Sequence, residues 1–157
     1  MPNQAAIFTI GDEYAAGSAR DEAGDALIGI LTKMGWIITI RAALPDDEEQ
    51  IASHIIQTVD AGNVDVVFTL DGVGLDPKDR AAEALYKVCE RWLTGLPEII
   101  RFKLYEKIPA IALYRGLAGI RGKTLMVNLP GTPVSVREAM DVLKPILRST
   151  VEQLKGV

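Results

Sequence analysis

Val64 to Leu70 reads VDVVFTL, and Asp71 to Asp79 follow it as DGVGLDPKD. A strand buried on both faces appears as a near-continuous apolar run, and this is the sequence signature of a parallel sheet covered by helices on either side. Working outward, short runs rich in Ile, Val, Phe and Thr recur at Ala5 to Ile10, Trp36 to Arg41, Ala110 to Leu113 and Thr124 to Asn128. Helical periodicity fills the gaps between the first three runs. In the first gap Ala23, Ala26, Leu27, Ile30, Leu31 and Met34 share one face, and Gly35 stands where a left-handed stop is wanted. In the second gap a helix opens at Asp46 or Asp47 and runs through Ile51, Ile55 and Val59 to Gly62. A last helix, roughly Val136 to Leu154, keeps an apolar face of Val136, Leu143, Ile146, Leu147, Val151 and Leu154, with a kink expected at Pro145. The reading is one α/β domain over residues 1–157, a three-layer sandwich with a mostly parallel sheet and helices on both faces, wound by right-handed crossovers.

Composition narrows the function. A formal net charge of −4 and the lack of any Lys/Arg cluster argue against nucleic-acid binding. No stretch approaches the roughly 20 apolar residues of a membrane-spanning helix, and no signal-peptide pattern opens the chain, so a soluble cytoplasmic protein is expected. The single cysteine, Cys89, sits in EALYKVCERWL, read as helical, and is assigned to packing. The single histidine, His54, falls beside the apolar stripe of its helix and is assigned to the surface. Trp36, Trp92, Phe102 and Tyr105 are read as core or subunit-interface packing. Any catalysis is left to carboxylates, backbone amides and a bound cation.

Ligands of open α/β sheets gather at the carboxyl ends of the strands. Three loops stand there: GDEYAAGSARDEAG after Ile10, DGVGLDPKD after Leu70 and PGTP after Leu129. Each joins glycine or proline to small polar residues and leads toward a helix, an arrangement that can hold a phosphate on exposed amides.

The order of these motifs resembles the molybdopterin adenylyltransferase family, also described as MogA/MoaB-like, with its molybdopterin-binding fold. The resemblance covers nearly the whole chain. It rests on Gly17, Asp21 and Gly24 of the first loop, LPDD at Leu44 to Asp47, and TLDGVGLDPKDRAAEA at Thr69 to Ala84. It continues through LPEIIR at Leu96 to Arg101, RGLAGIRG at Arg115 to Gly122 and NLPGTP at Asn128 to Pro133. What it implies is molybdenum cofactor biosynthesis: binding of molybdopterin and its adenylylation with ATP and a magnesium ion, giving adenylyl-molybdopterin and pyrophosphate. By position, Asp46 and Asp79 correspond to the family's catalytic, magnesium-holding carboxylates. Thr69, Asp71, Gly72, Gly74, Lys78, Pro130, Gly131 and Thr132 correspond to its substrate-binding positions. Nucleotidyl transfer asks for positioned carboxylates and a hard cation, so the chemistry agrees. The competing role for Asp46 and Asp79 is helix capping, since each precedes a helical stretch. The resemblance also implies a homotrimer or hexamer and contacts with other molybdenum-cofactor proteins.

The glycine-rich motif departs from the family's TTGGTG pattern. Leu70, Asp71, Val73, Lys78 and Ala81 replace the usual residues there; Gly11 and Ala23 stand where serine is favoured, and Val134 where lysine is favoured. Asp71 in place of glycine adds a side chain and a negative charge where an anion should approach backbone. The alternative expectation is therefore a catalytically inactive homologue that binds a different ligand or serves as an assembly subunit. A nucleotide hydrolase on the same fold is disfavoured, because nothing in the sequence specifies attack by water.

Overall fold

The computed structural model describes residues 2–157. Six strands, β1 (Gln4–Ile10), β2 (Ile37–Leu44), β3 (Val66–Leu70), β4 (Arg91–Trp92), β5 (Ala118–Arg121) and β6 (Thr124–Leu129), form one sheet in the order β2-β1-β3-β6-β5-β4. β2, β1, β3 and β6 run parallel, whereas β5 is antiparallel to both β6 and β4. Six helices accompany it: α1 (Asp12–Ala15), α2 (Glu22–Lys33), α3 (Glu48–Asp60), α4 (Ala81–Val88), α5 (Gly95–Leu104) and α6 (Pro133–Lys155). This is the α/β architecture with a mostly parallel sheet that the apolar runs predict.

Burial follows position in the sheet. Every residue of β3 and β6 is buried, as central strands require, while β2, at the edge, alternates between exposed and half-buried positions up to the buried Leu44. Helices α2, α5 and α6 pack together as one layer, and α3 and α4 as another. Right-handed crossovers explain the division: the chain leaves β1 for β2 in one direction and returns past β1 to β3 in the other, so α2 and α3 land on opposite faces. The reversal puts a topological switch point between β1 and β3, and a ligand crevice is expected beyond their carboxyl ends.

Several boundaries differ from expectation. Ala110 to Leu113 belongs to a 3₁₀ turn, Pro109–Leu113, rather than a strand. Its apolar run is short and opens on a proline, and amide-to-carbonyl bonds three residues apart link Ile111 to Ile108 and Tyr114 to Ile111. The neighbouring strand is instead β5, joined to β6 through Gly122, whose φ of 58° only glycine adopts readily. Cys89 is not helical: α4 ends at Val88 and Cys89 is extended as the chain enters β4, its thiol half-buried and pushed to a higher pKa by that burial. Of the four aromatic residues assigned to core or subunit-interface packing, Trp36 is in the core, and Trp92, Phe102 and Tyr105 are exposed on the single chain. His54 lies exposed on α3, as its place beside the stripe predicts. α6 begins three residues earlier than expected because Thr132 and Ser135 form a reciprocal capping box around Pro133, and it continues through Pro145. Among the described residues no helix is long and apolar enough to cross a membrane.

Candidate active site

The loops after β1, β2, β3 and β6 meet at the switch point. After β1, Gly11 N–H donates to Leu44 O at 2.9 Å and holds the first loop against the end of β2. Asp12 and Asp46 then clasp each other: Asp12 N–H donates to Asp46 Oδ2 at 3.1 Å, and Asp46 N–H donates to Asp12 Oδ1 at 2.9 Å. The cap of α3 is the next residue, Asp47, whose Oδ1 accepts from Gln50 N–H at 2.9 Å. Asp79 is not a cap either. The residue at the start of α4 is Arg80, and Asp79 Oδ2 instead accepts from Asp76 N–H at 3.1 Å, turned back into its own loop. Neither Asp46 nor Asp79 therefore caps the helix that follows it.

The glycine-rich loop after β3 is held from below and from the side. Thr69 is fully buried, and its hydroxyl accepts from Asn128 Nδ2 at 2.6 Å. Asn128 Oδ1 in turn accepts from Leu117 N–H at 2.9 Å. Thr69 thus supports the loop and offers a ligand no surface. Arg115 clamps the loop from its flank: it donates to Gly74 O and to Asp79 O, each at 2.7 Å, and pairs with Glu83 at 2.7 Å. Asp71 adopts φ 70°, the one positive φ among described non-glycine residues. Its Oδ1 accepts from Gly72 N–H at 3.0 Å. Gly131 lies directly against it, and a Cβ there would stand 2.5 Å from Asp71 Cγ. Gly74 plays the same part for Asp79, with a would-be Cβ 2.8 Å from Asp79 Oδ2. Lys78 is exposed, with only its backbone N–H engaged, on Asp76 Oδ1.

Carboxylates without a cationic partner gather at this edge of the molecule. Glu48, Glu83, Asp60 and Asp65 all have cationic partners within 4 Å, but Asp12, Glu13, Asp46, Asp71, Asp76 and Asp79 have none among the described residues. Burial raises the Asp71 carboxyl above its usual range, and the charges of Asp79, Glu13 and Asp46 add to the effect. Asp46 is raised in the same way, by burial first and then by Asp12, Glu13 and Asp79, partly offset by the Asp12 N–H bond. Burial and then Asp71 push the Tyr14 hydroxyl up as well. Such a field favours a cation. Among the described residues no three side chains converge tightly enough to hold a metal ion unaided.

Beside the carboxylates a pocket of about 360 Å³ opens between the glycine-rich loop, the 3₁₀ turn and the start of α6. Asp71, Val73, Gly74, Ile111, Pro130, Gly131 and Thr132 line it, together with Tyr114 and Ser135. Three larger surface depressions lie elsewhere, between α5 and α6, along the outer side of α5, and beside Glu48, Glu83 and Arg115. The structure gathers Asp71, Gly74, Pro130, Gly131 and Thr132 around one pocket, with Asp46 and Asp79 close enough to Asp71 to act on its charge. Arg115, Asn128 and Ser135 escaped assignment, although Arg115 and Asn128 stand in the RGLAGIRG and NLPGTP motifs. Nothing local in a sequence says that an arginine folds back onto a loop 40 residues earlier.

A family model described as "probable molybdopterin binding domain" matches residues 6–149. The chain belongs to the molybdopterin-binding, MogA/MoaB-like family. It is 30% identical to the molybdopterin adenylyltransferase of Helicobacter pylori over 152 residues, 96% of this chain and 86% of that protein. It is 32% identical to the molybdenum cofactor biosynthesis bifunctional protein of Chlorobaculum tepidum, spanning 96% of this chain and 48% of that one. Among solved structures, the molybdopterin biosynthesis enzyme MoaB of Thermus thermophilus superposes with a TM-score of 0.92 at 31% identity, covering 99% of this chain and 98% of that one. A MogA structure superposes with a TM-score of 0.90 at 32% identity, covering 97% and 99%. The fold and the link to molybdenum cofactor biosynthesis are those the sequence motifs imply.

Proposed function

We propose that the chain binds molybdopterin and adenylylates it with Mg-ATP. The observation that carries this reading is the pair Asp46 and Asp79: neither caps the helix that follows it, neither has a cationic partner within 4 Å among the described residues, and both act on the charge of Asp71, which lines the pocket. The names of the relatives support it. In the reaction an oxygen of the molybdopterin phosphate attacks the α-phosphorus of ATP, the bond from that phosphorus to the bridging oxygen breaks, and pyrophosphate leaves with the electron pair.

The residues divide the work. The pterin occupies the pocket over Val73, Gly74, Pro130, Gly131 and Thr132, directing its phosphate toward Asp46 and Asp79. The donor set fits magnesium, which is characteristically held by one or two carboxylates together with substrate phosphates rather than by a complete protein cage. Magnesium there would neutralise the phosphates and the charge developing on the leaving group. Asp46 is oriented by its clasp with Asp12, and Asp79 by Asp76 and by the hold of Arg115 on its carbonyl. Gly72 lets the loop turn tightly, and Lys78, exposed with its ammonium free, meets the phosphate tail of ATP. The exposed Phe102 and Tyr105 on α5 are where copies of the chain would pack into a trimer or hexamer.

Asp71 favours a second reading, an inactive homologue, because it puts a carboxylate inside the pocket. Purified protein with molybdopterin, ATP and magnesium decides between the two. Pyrophosphate release that vanishes in Asp46→Asn and Asp79→Asn establishes the transferase. Molybdopterin binding without release establishes the second reading.

A further inference from the structure

The pocket beside Asp71 is poorly suited to an anion. Among the described residues no lysine or arginine lines it. At the start of α6, which could offer amides to a phosphate, two N–H groups are already taken: Ser135 N–H donates to Thr132 Oγ1 and Thr132 N–H to Ser135 Oγ, each at 3.2 Å. The Tyr114 hydroxyl is spent on Asn128 O. What faces the cavity with unused capacity is the carboxylate of Asp71. One oxygen takes a single backbone N–H, and the other has no partner among the described residues. The side chain is held rather than mobile, since it rises from a left-handed backbone and leans on the bare Gly131. Around it Val73, Leu75, Ile111, Leu113 and Pro130 form apolar walls that suit a flat ring.

A fixed carboxylate in an apolar slot accepts adjacent N–H donors in pairs. We propose that Asp71 is the specificity-determining residue of this pocket, accepting the ring N–H and exocyclic amine of a 2-amino-4-oxopyrimidine edge and keeping phosphate out. The inference rests on the function proposed above and assigns the ring end of the ligand to this pocket. The phosphate end then lies at the mouth, with Asp46 and Asp79. Pterins and guanine share the edge, and the test separates them.

The measurement is calorimetric titration of the whole protein with 6-hydroxymethylpterin, its 2-oxo analogue, guanosine and inorganic phosphate, for wild type, Asp71→Asn and Asp71→Gly. Asn and Gly both tolerate the left-handed backbone, so the loop survives either change. Wild type is expected to bind the pterin roughly ten- to a hundredfold more tightly than the 2-oxo analogue. The Asn variant, which turns a donor toward donors, is expected to lose the pterin by a similar factor, and phosphate is expected not to compete in wild type. Equal pterin affinity in wild type and Asp71→Asn, or displacement of pterin by phosphate, overturns the inference. Guanosine binding more tightly than the pterin with the same dependence on Asp71 supports the recognised edge and assigns it to guanine. Asp71-dependent pterin binding without pyrophosphate release from ATP and molybdopterin sustains this inference while removing the transferase reading. Pyrophosphate release with Asp71-independent pterin binding does the reverse.

Discussion

Gly131→Ala tests the packing of the site most directly. The new methyl carbon would stand 2.5 Å from Asp71 Cγ, 2.7 Å from its Cβ and 2.8 Å from Oδ2. A rotamer change can move the carboxyl group, but Asp71 Cβ is fixed to a backbone at φ 70°, so the two loops themselves must part. Overpacking of this kind costs about 1–3 kcal/mol. For a domain of this length that lowers the melting temperature by roughly 2–12 °C. In an Asp71→Gly background all three colliding atoms are gone, and alanine at 131 is neutral or gains up to about 1 kcal/mol by restricting the unfolded chain. The double-mutant cycle, measured by urea unfolding, is expected to show a coupling of about 1–3 kcal/mol. If Gly131→Ala is equally destabilising in both backgrounds, Asp71 does not occupy the space above Gly131 and the account of the pocket floor is wrong.

Asp46→Asn and Asp79→Asn are expected to abolish pyrophosphate release while leaving the melting temperature unchanged or higher, because each removes an unpaired negative charge; a large fall in stability would show a structural role instead. Asn128→Ala strands the Leu117 N–H and releases Thr69 in the core, and is expected to cost about 2–4 kcal/mol in denaturant unfolding. Arg115→Ala is expected to lower turnover at least tenfold with a smaller effect on folding, since it frees the carbonyls of Gly74 and Asp79; unchanged turnover would remove its positioning role. Asp71 and Asp46 bind protons more readily folded than unfolded, so their contribution to stability is greatest below the unfolded value of about 3.8 and is lost as pH rises through the raised values. Asp71→Asn should therefore flatten the fall in stability above that pH, and an unaltered profile would place the Asp71 carboxyl in solvent.

Local pattern alone determined the strand–helix alternation, the parallel core and the loops that carry the site. Strands buried on both faces must be apolar throughout, helices packed on a sheet must carry a stripe, and both demands are written in consecutive residues such as VDVVFTL and the Ala23–Met34 face. The loops of the candidate site were legible because their motifs stand in order at strand ends. The short antiparallel edge was not: β4 has two residues and β5 four, too few for any periodicity to emerge, and the apolar Ala110–Leu113 run mimicked the missing strand.

Tertiary structure decided which acidic residues cap the helices that follow them. Position alone left Asp46 and Asp79 open between caps and site carboxylates and the family resemblance favoured the site, but only the folded backbone shows the capping assigned to Asp47 and Asp79 turned back on its loop. The clamp from Arg115, the Asn128 bridge between β6 and Thr69, and the fit of Asp71 over Gly131 join residues 36 to 60 positions apart. Contacts of that span depend on how the sheet orders its strands, and the sheet order is set by the packing of the whole chain.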